Sequence, residues 1–185
     1  MLKYKLIAAA SQNRGIGKNN DLPWRIRKDM DYFTKMTTST TSSKKNVVIM
    51  GRKTWDSIPT KFKPLSNRIN FILSRSDINV GMYKNVFLFK SWDDINKKLQ
   101  NEEFQKLYED IWIIGGSHIY KAAIESKHFY RLYMTEIKKE YDCDTFFPSY
   151  NNVKPVSDPL VPEGVQEEKG IKFEFKVYEN ELYEE

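Results

Sequence analysis

The chain has 185 residues, of which 40% are hydrophobic and 30% charged, enough for one domain whose core needs no metal or disulfide and a balance that excludes a disordered or fibrous chain. Its one cysteine, Cys143, excludes an intramolecular disulfide and a multi-cysteine zinc site, and the two histidines sit apart, so no metal is expected. The formal net charge of +5 suits small anionic ligands, whereas the absence of a dense Lys/Arg block with interleaved aromatics speaks against nucleic acid as the main partner.

The apolar stretch within residues 1–10 is far too short to span a bilayer and runs into a Gly-rich loop rather than a cleavage site. Residues 6–10 therefore read as a first strand in a cytoplasmic, reducing setting with no membrane partner. Segment 15–24 carries the permissive residues Gly15, Gly17 and Asn20 and could move as a lid. A helix is expected over residues 26–36, after Pro23-Trp24, then a surface loop over the Thr/Ser/Lys tract 37–45. Apolar runs 47–50, 69–73, 86–89 and 111–114 each stop at or near a glycine or serine and read as buried parallel strands. Helices are expected between them over 54–58 and 93–108, and after them over 117–126. Ile171, Phe173, Phe175 and Val177 alternate with polar residues as a half-buried strand does, and residues 132–137 are its expected neighbour. No repeat or composition shift divides the chain. The predicted fold is α/β, one domain over 1–185 with a mixed, mostly parallel sheet flanked by helices and a C-terminal antiparallel edge.

Three strand ends could hold an anion. Gly51-Arg52-Lys53-Thr54 puts two cations and a hydroxyl at a helix start, although the same residues would suit an ordinary capped helix with solvated charges. Gly115-Gly116-Ser117 lets backbone approach a ligand closely. Ser74-Arg75 follows a third strand, where an arginine fork suits a phosphate monoester. A Rossmann fingerprint is rejected, because Gly15-Ile16-Gly17 continues into Lys18 without a third glycine. Asp29 and Phe33, four apart on the first helix, share a face: a carboxylate beside an aromatic ring can pair with a flat, nitrogen-rich heterocycle, although an acid in that position is ordinarily solvated.

Residues 15–24, 48–55 and 57–59, Pro64-Leu65-Ser66-Asn67-Arg68-Ile69-Asn70, Leu73-Ser74-Arg75, 113–117 and Asp144-Thr145-Phe146-Phe147-Pro148 together resemble dihydrofolate reductase, in that family's order and spacing. Gln166-Glu167-Glu168-Lys169-Gly170-Ile171-Lys172 is similar to its animal-type branch. The resemblance implies an eight-stranded mixed sheet and an NADPH-dependent oxidoreductase of folate metabolism, monomeric and bound by antifolate inhibitors. It makes Asp29 the active-site acid, with Thr135 as its hydroxyl partner, Trp24 ordering water beside it and Leu22 at the nicotinamide. Ile7, Met30, Phe33, Ile58 and Leu65 would contact the substrate, and Arg68 would take its glutamate carboxylate. For the cofactor it implies Ala9, Ile16, Gly17, Asp21, Leu22 and Ile114, then Gly51, Arg52, Lys53 and Thr54 at the phosphates. Leu73, Ser74 and Arg75 would lie near the adenosine 2′-phosphate, and Gly115, Gly116, Ser117, His118, Ile119 and Tyr120 at the pyrophosphate. The peptide between Gly115 and Gly116 is expected to be cis.

Asp29 stands where the animal branch usually has Glu, Met30 replaces its Phe or Leu, and Arg25-Ile26 replaces paired prolines, changes that reshape the pterin pocket. A deaminoreductase of the riboflavin pathway would share fold and cofactor but would not carry the set Asp29, Phe33 and Arg68. A catalytically silent folate- or RNA-binding protein would have no use for the intact cofactor motifs.

Overall fold

A computed structural model describes residues 1–185 and lays the apolar runs out as strands of one sheet. β1 (Tyr4–Ala10) leads through β2 (Gly15–Gly17) into α1 (Arg27–Thr38). β3 (Lys45–Gly51) runs into α2 (Arg52–Ser57), and β4 (Arg68–Leu73) precedes β5 (Val86–Phe89). After α3 (Trp92–Gln100) and α4 (Glu102–Gln105) come β6 (Tyr108–Gly115), α5 (Ser117–Glu125) and β7 (Phe129–Ile137). The remaining strands are β8 (Thr145–Phe146), β9 (Val153–Pro155), β10 (Val165–Glu168) and β11 (Ile171–Asn180).

The sheet order is β10-β11-β7-β1-β6-β3-β4-β5, with β9 also on β11. From β7 to β5 every neighbouring pair is parallel, whereas β11 is antiparallel to both β7 and β10. Val47, Val48, Ile49 and Met50 are all buried, because helices cover β3 on both sides and each face needs an apolar residue. On β11 Phe173, Phe175 and Val177 are buried, as the period-two pattern predicted, while Ile171, the first residue of that pattern, is half-buried at the strand's start. The antiparallel end is where the C-terminal alternation put it, with β11 held between β7 and β10 rather than outermost.

Two helix expectations need correction. The stretch 93–108 is not one helix: Asn101 adopts an extended conformation and its side chain accepts from the Phe104 N–H at 2.9 Å, ending α3 and capping α4. Tyr108 opens β6 instead, its hydroxyl donating to the Leu99 carbonyl at 2.7 Å. The polar tract is not all loop: Thr37 and Thr38 finish α1, their hydroxyls bonding the Phe33 and Thr34 carbonyls one turn back. The helix thus begins at Arg27 rather than Ile26 and continues past Met36.

The core has two layers. Leu6, Val47, Ile49, Phe71 and Ile113 pack with α3, α4 and α5 on one face; Ile7, Val48, Met50, Trp112 and Tyr133 pack with α1 and α2 on the other. Beside the sheet, β2 and β8 form a separate antiparallel ribbon. It ties the segment after β1 to residues 144–146: the Asp144 N–H donates to the Gly17 carbonyl at 3.0 Å, and its carboxylate accepts from the Asn19 N–H at 3.0 Å.

Candidate active site

The parallel ladder between β1 and β6 runs only from Tyr4 opposite Ile111 to Leu6 opposite Ile113. β1 nevertheless stays paired with β7 as far as Ala10. Beyond Leu6 the two central strands separate, and the backbone of residues 7–10 faces that of 114–116 across a gap at the strands' C-terminal ends, where open α/β sheets place ligands. The side chain of Tyr120 bridges part of it, donating from its hydroxyl to the Ile7 carbonyl at 2.7 Å. One lone pair of that carbonyl is therefore already used.

On the α1 side of this gap, Tyr32 and Met36 are buried in the core, and Asp29 and Phe33 come up against the sheet on the same side of the helix. Thr135 of β7, itself buried, donates its hydroxyl to Asp29 Oδ1 at 2.6 Å. Burial pushes the Asp29 carboxyl up to about 6, against the opposing pull of that hydrogen bond. The Trp24 ring is buried, and its Nε1 has no hydrogen-bond partner in the protein.

Phe33, Ile58 and Leu65, each half-buried, join the core layer that contains Ile7, Ala9 and Ile114. Beyond them Arg68 is only 5% exposed. Its Nε donates to the Ser66 carbonyl at 2.8 Å and its Nη1 to Thr37 Oγ1 at 3.0 Å, and its guanidinium lies 6.0 Å from the Phe33 ring centre. Burial lowers its pKa to about 10, and no carboxylate of the chain neutralises it. A buried, uncompensated cation at the end of an apolar groove is a receptor for an anion. Asn70 braces the approach, exchanging hydrogen bonds with the Leu65 backbone at 3.0 Å in each direction.

At the opposite end, α2 and α5 start at Gly51 and Gly116, neither of which supplies a side-chain cap, so their first N–H groups face outward unpaired by side chains. The two starts touch: a Cβ on Gly51 would stand 3.0 Å from Ile119 Cγ1. At Gly115, with φ +124, a Cβ would come within 3.4 Å of both Thr54 Oγ1 and the Tyr120 hydroxyl. The Gly115–Gly116 peptide is cis, as is Lys63–Pro64. Arg52 reaches from α2 to donate to Ser76 Oγ, and Ser74 Oγ bonds the Ser76 carbonyl at 3.0 Å. Arg52, Thr54, Ser74, Gly115, Gly116 and Ser117 therefore line one polar edge.

Other expected residues lie further out. Met30 is 58% exposed and Leu22 40% exposed, on the rim rather than the wall. Lys53, Arg75 and His118 are exposed, and Asp21 is exposed and engaged with Arg25 at 2.9 Å. Ile16 and Leu73 pack against the core layer on the α5 side, at the edge where that layer meets the polar groups. Gly17 is half-buried in the β2–β8 ribbon. Sequence reasoning missed Thr37, whose hydroxyl holds Arg68; its position four residues after Phe33 was the available signal. It also missed Asn70, whose polar side chain inside an apolar run was the sign of a bracing role. No group of His, Cys, Asp or Glu could hold a metal ion, and no helix is long and apolar enough to cross a membrane.

Residues 3–180 match the family model for dihydrofolate reductase. The chain is 48% identical to the dihydrofolate reductase of Sus scrofa over 178 residues, covering 94% of this chain and 95% of that one. It is 44% identical to the Drosophila melanogaster dihydrofolate reductase over 184 residues, covering 97% and 98%. The solved dihydrofolate reductase of Schistosoma mansoni superposes with a TM-score of 0.85 at 39% identity, covering 97% of this chain and 98% of its own. With the acid, the buried arginine and the paired glycine junctions disposed around one gap in the sheet, the chain belongs to the dihydrofolate reductase family.

Proposed function

We propose that the chain reduces 7,8-dihydrofolate to 5,6,7,8-tetrahydrofolate at the expense of NADPH, supporting one-carbon metabolism and thymidylate and purine synthesis, and that antifolate inhibitors occupy the same groove. The observation that carries the reading is a desolvated Asp29–Thr135 pair and an unneutralised Arg68 at two ends of one apolar wall. A substrate with a flat, amino-bearing ring at one end and a carboxylate at the other satisfies both. Asp29 accepts from the ring's amino and N–H groups while Phe33 and Ile58 pack on the ring system, and Arg68 grips the carboxylate. The protein works as a cytoplasmic monomer in this reading, in keeping with its animal-type resemblance.

The cofactor's fit is supported by the glycine junctions. Gly115 holds φ +124, a conformation that a residue with a side chain rarely adopts, and a Cβ at Gly116 would meet only Thr54 Oγ1 at 3.8 Å, so this backbone can be approached closely. Arg52, Lys53, Thr54, Gly116 and Ser117 would hold the phosphates, and Ser74 and Arg75 the 2′-phosphate that distinguishes NADPH from NADH. NADPH, when bound, supplies the hydride. The chain's task is then orientation and proton supply: the substrate's ring nitrogen must gain one proton as its neighbouring carbon gains the hydride. Asp29 favours that protonation through water rather than by direct transfer, and the unpartnered Trp24 Nε1 can donate to such a water.

Loss of reduced-cofactor absorbance on mixing the purified chain with NADPH and dihydrofolate tests the activity; bound ligand without turnover would leave a silent binder. In single-turnover measurements Asp29→Asn should slow hydride transfer by roughly 100-fold or more at neutral pH. Partial recovery is expected in acid, where solvent supplies more protonated substrate. An unchanged rate would remove Asp29 from the role. For the native chain, the carboxyl titrating near 6 predicts a hydride-transfer rate that declines as pH rises through and above that value.

A further inference from the structure

The helix that carries Asp29 starts without a cap of its own. Ile26 occupies the N-cap position and offers no side-chain acceptor, so the first N–H groups of α1 need a partner from elsewhere. Asp29 is the third residue of the helix, where a carboxylate ordinarily turns back toward the N-cap. Here it turns to Thr135 instead. The vacant capping duty falls to Glu168, 140 residues along the chain, whose Oε2 accepts from the Arg27 N–H at 2.6 Å and Oε1 from the Lys28 N–H at 3.0 Å. Lys28 Nζ adds a bond to the Glu167 carbonyl at 3.2 Å.

Glu168 is fixed in turn. It is the last residue of β10 and pairs with Ile171 across a two-residue turn in which Lys169 has φ 50 and Gly170 φ 79, the tight hairpin turn whose twist matches its strands. The same hairpin continues as β11, where Phe175 lies directly opposite Thr135. Phe175 also stacks on Tyr32 of α1, with ring centres 4.0 Å apart. One hairpin therefore grips both partners of the Asp29–Thr135 bond: its turn end holds the helix, and its long strand holds β7.

From this we infer that Glu168 is a positioning residue for the acid, acting through the first turn of α1 to hold the Asp29 carboxylate against Thr135. The inference rests on the proposed dihydrofolate reduction only for its kinetic consequence; the geometric one can be read without substrate. The groups that face the Asp29 carboxyl are Thr135 from β7, Tyr32 from its own helix and Tyr120 from α5. Its titration accordingly reports burial and the Thr135 bond.

The test is a carbon-13 NMR titration of Asp29 in the ligand-free protein, together with kcat and KM for dihydrofolate, in Glu168→Ala, Glu168→Gln and Glu168→Asp. With alanine the titration should fall from about 6 toward the ordinary carboxylate value of about 4, as the carboxylate leaves its buried seat. kcat/KM should drop by roughly threefold to tenfold, shared between the two constants, because Asp29 both holds the substrate and serves the proton. Glutamine keeps one acceptor without the charge and should hold the titration near its native position with most of the activity. Aspartate keeps the charge but cannot span both N–H groups and should lie between; it also decides the matter if alanine prevents folding. A native titration and native kcat/KM in the folded alanine variant, or in the aspartate variant if alanine does not fold, overturn the inference. Glutamine behaving as alanine does overturns it as well, since charge alone would then account for the effect. If the native chain fails to turn over dihydrofolate, the functional reading falls, while the NMR series still decides the role of Glu168.

Discussion

At the scale of single residues, the site sets function against stability. The folded pKa of Asp29, about 6, lies above its ordinary 3.8, so the fold favours the protonated carboxyl. Ionisation in the native state is a cost, borne in full above pH 6 and absent once the unfolded chain is protonated too, below about pH 4. Asp29→Asn should therefore raise stability at pH 7 by about 1 to 3 kcal/mol and leave it unchanged near pH 4, as thermal melts at the two pH values would show. Arg68 has the same character. Arg68→Leu removes a charge with no counter-ion, and Thr37 keeps its bond to the Phe33 carbonyl. Folding stability should hold while the KM for dihydrofolate rises by roughly tenfold to a hundredfold, measurable by steady-state kinetics beside a melt; an unaltered KM would free Arg68 from substrate binding. Asp29 and Phe33 were proposed from their four-residue spacing on one helix and Arg68 from the motif 64–70, and the fold brings Asp29 to Thr135 and the Arg68 guanidinium to the Phe33 ring. Thr37 left a weaker trace, its place four residues after Phe33, because it opens a polar tract that looks solvated.

Elements end where side chains compete for the backbone. Asn46, fully buried on β3, donates to the Thr37 and Ser39 carbonyls at 3.0 and 2.9 Å and accepts from the Asp110 N–H at 3.0 Å. It closes the C-terminal end of α1 and fastens it to β3 and β6. Asn46→Ala would orphan these three backbone groups and should lower stability by about 2 to 4 kcal/mol, read as a lower urea midpoint with native kinetics in the surviving fraction. Helix boundaries were the least legible part of the sequence for the same reason. Asn101 breaks an amphipathic run that periodicity alone would continue, and the cap of α1 comes from a glutamate no local pattern connects with it. Strands fared better, since β3, β4, β5 and β6 are apolar runs whose stops are written as Gly51, Ser74, Ser91 and Gly115, although β5 is half-buried rather than buried.

Across the whole molecule, backbone pairing thins away from the centre of the sheet. β1 is hydrogen-bonded on both sides, whereas the β2–β8 ribbon has two register pairs and rests on Asp144, exposed to solvent. Amide exchange in residues 15–24 should run about a hundredfold or more faster than in β1, and comparable protection would deny this segment the freedom of a lid. The parallel sheet with its antiparallel end was readable from composition and alternation; the parting of β1 from β6 was not, because nothing in residues 7–10 or 114–116 says that two neighbouring apolar runs will stop pairing halfway. That parting has a thermodynamic corollary. Because β1 and β6 pair only as far as Leu6 and Ile113, a molecule that bridged their two strand ends would add interactions to the folded state alone. Heat resistance should consequently begin to rise where occupancy does and keep climbing with the logarithm of added nucleotide after the site is full.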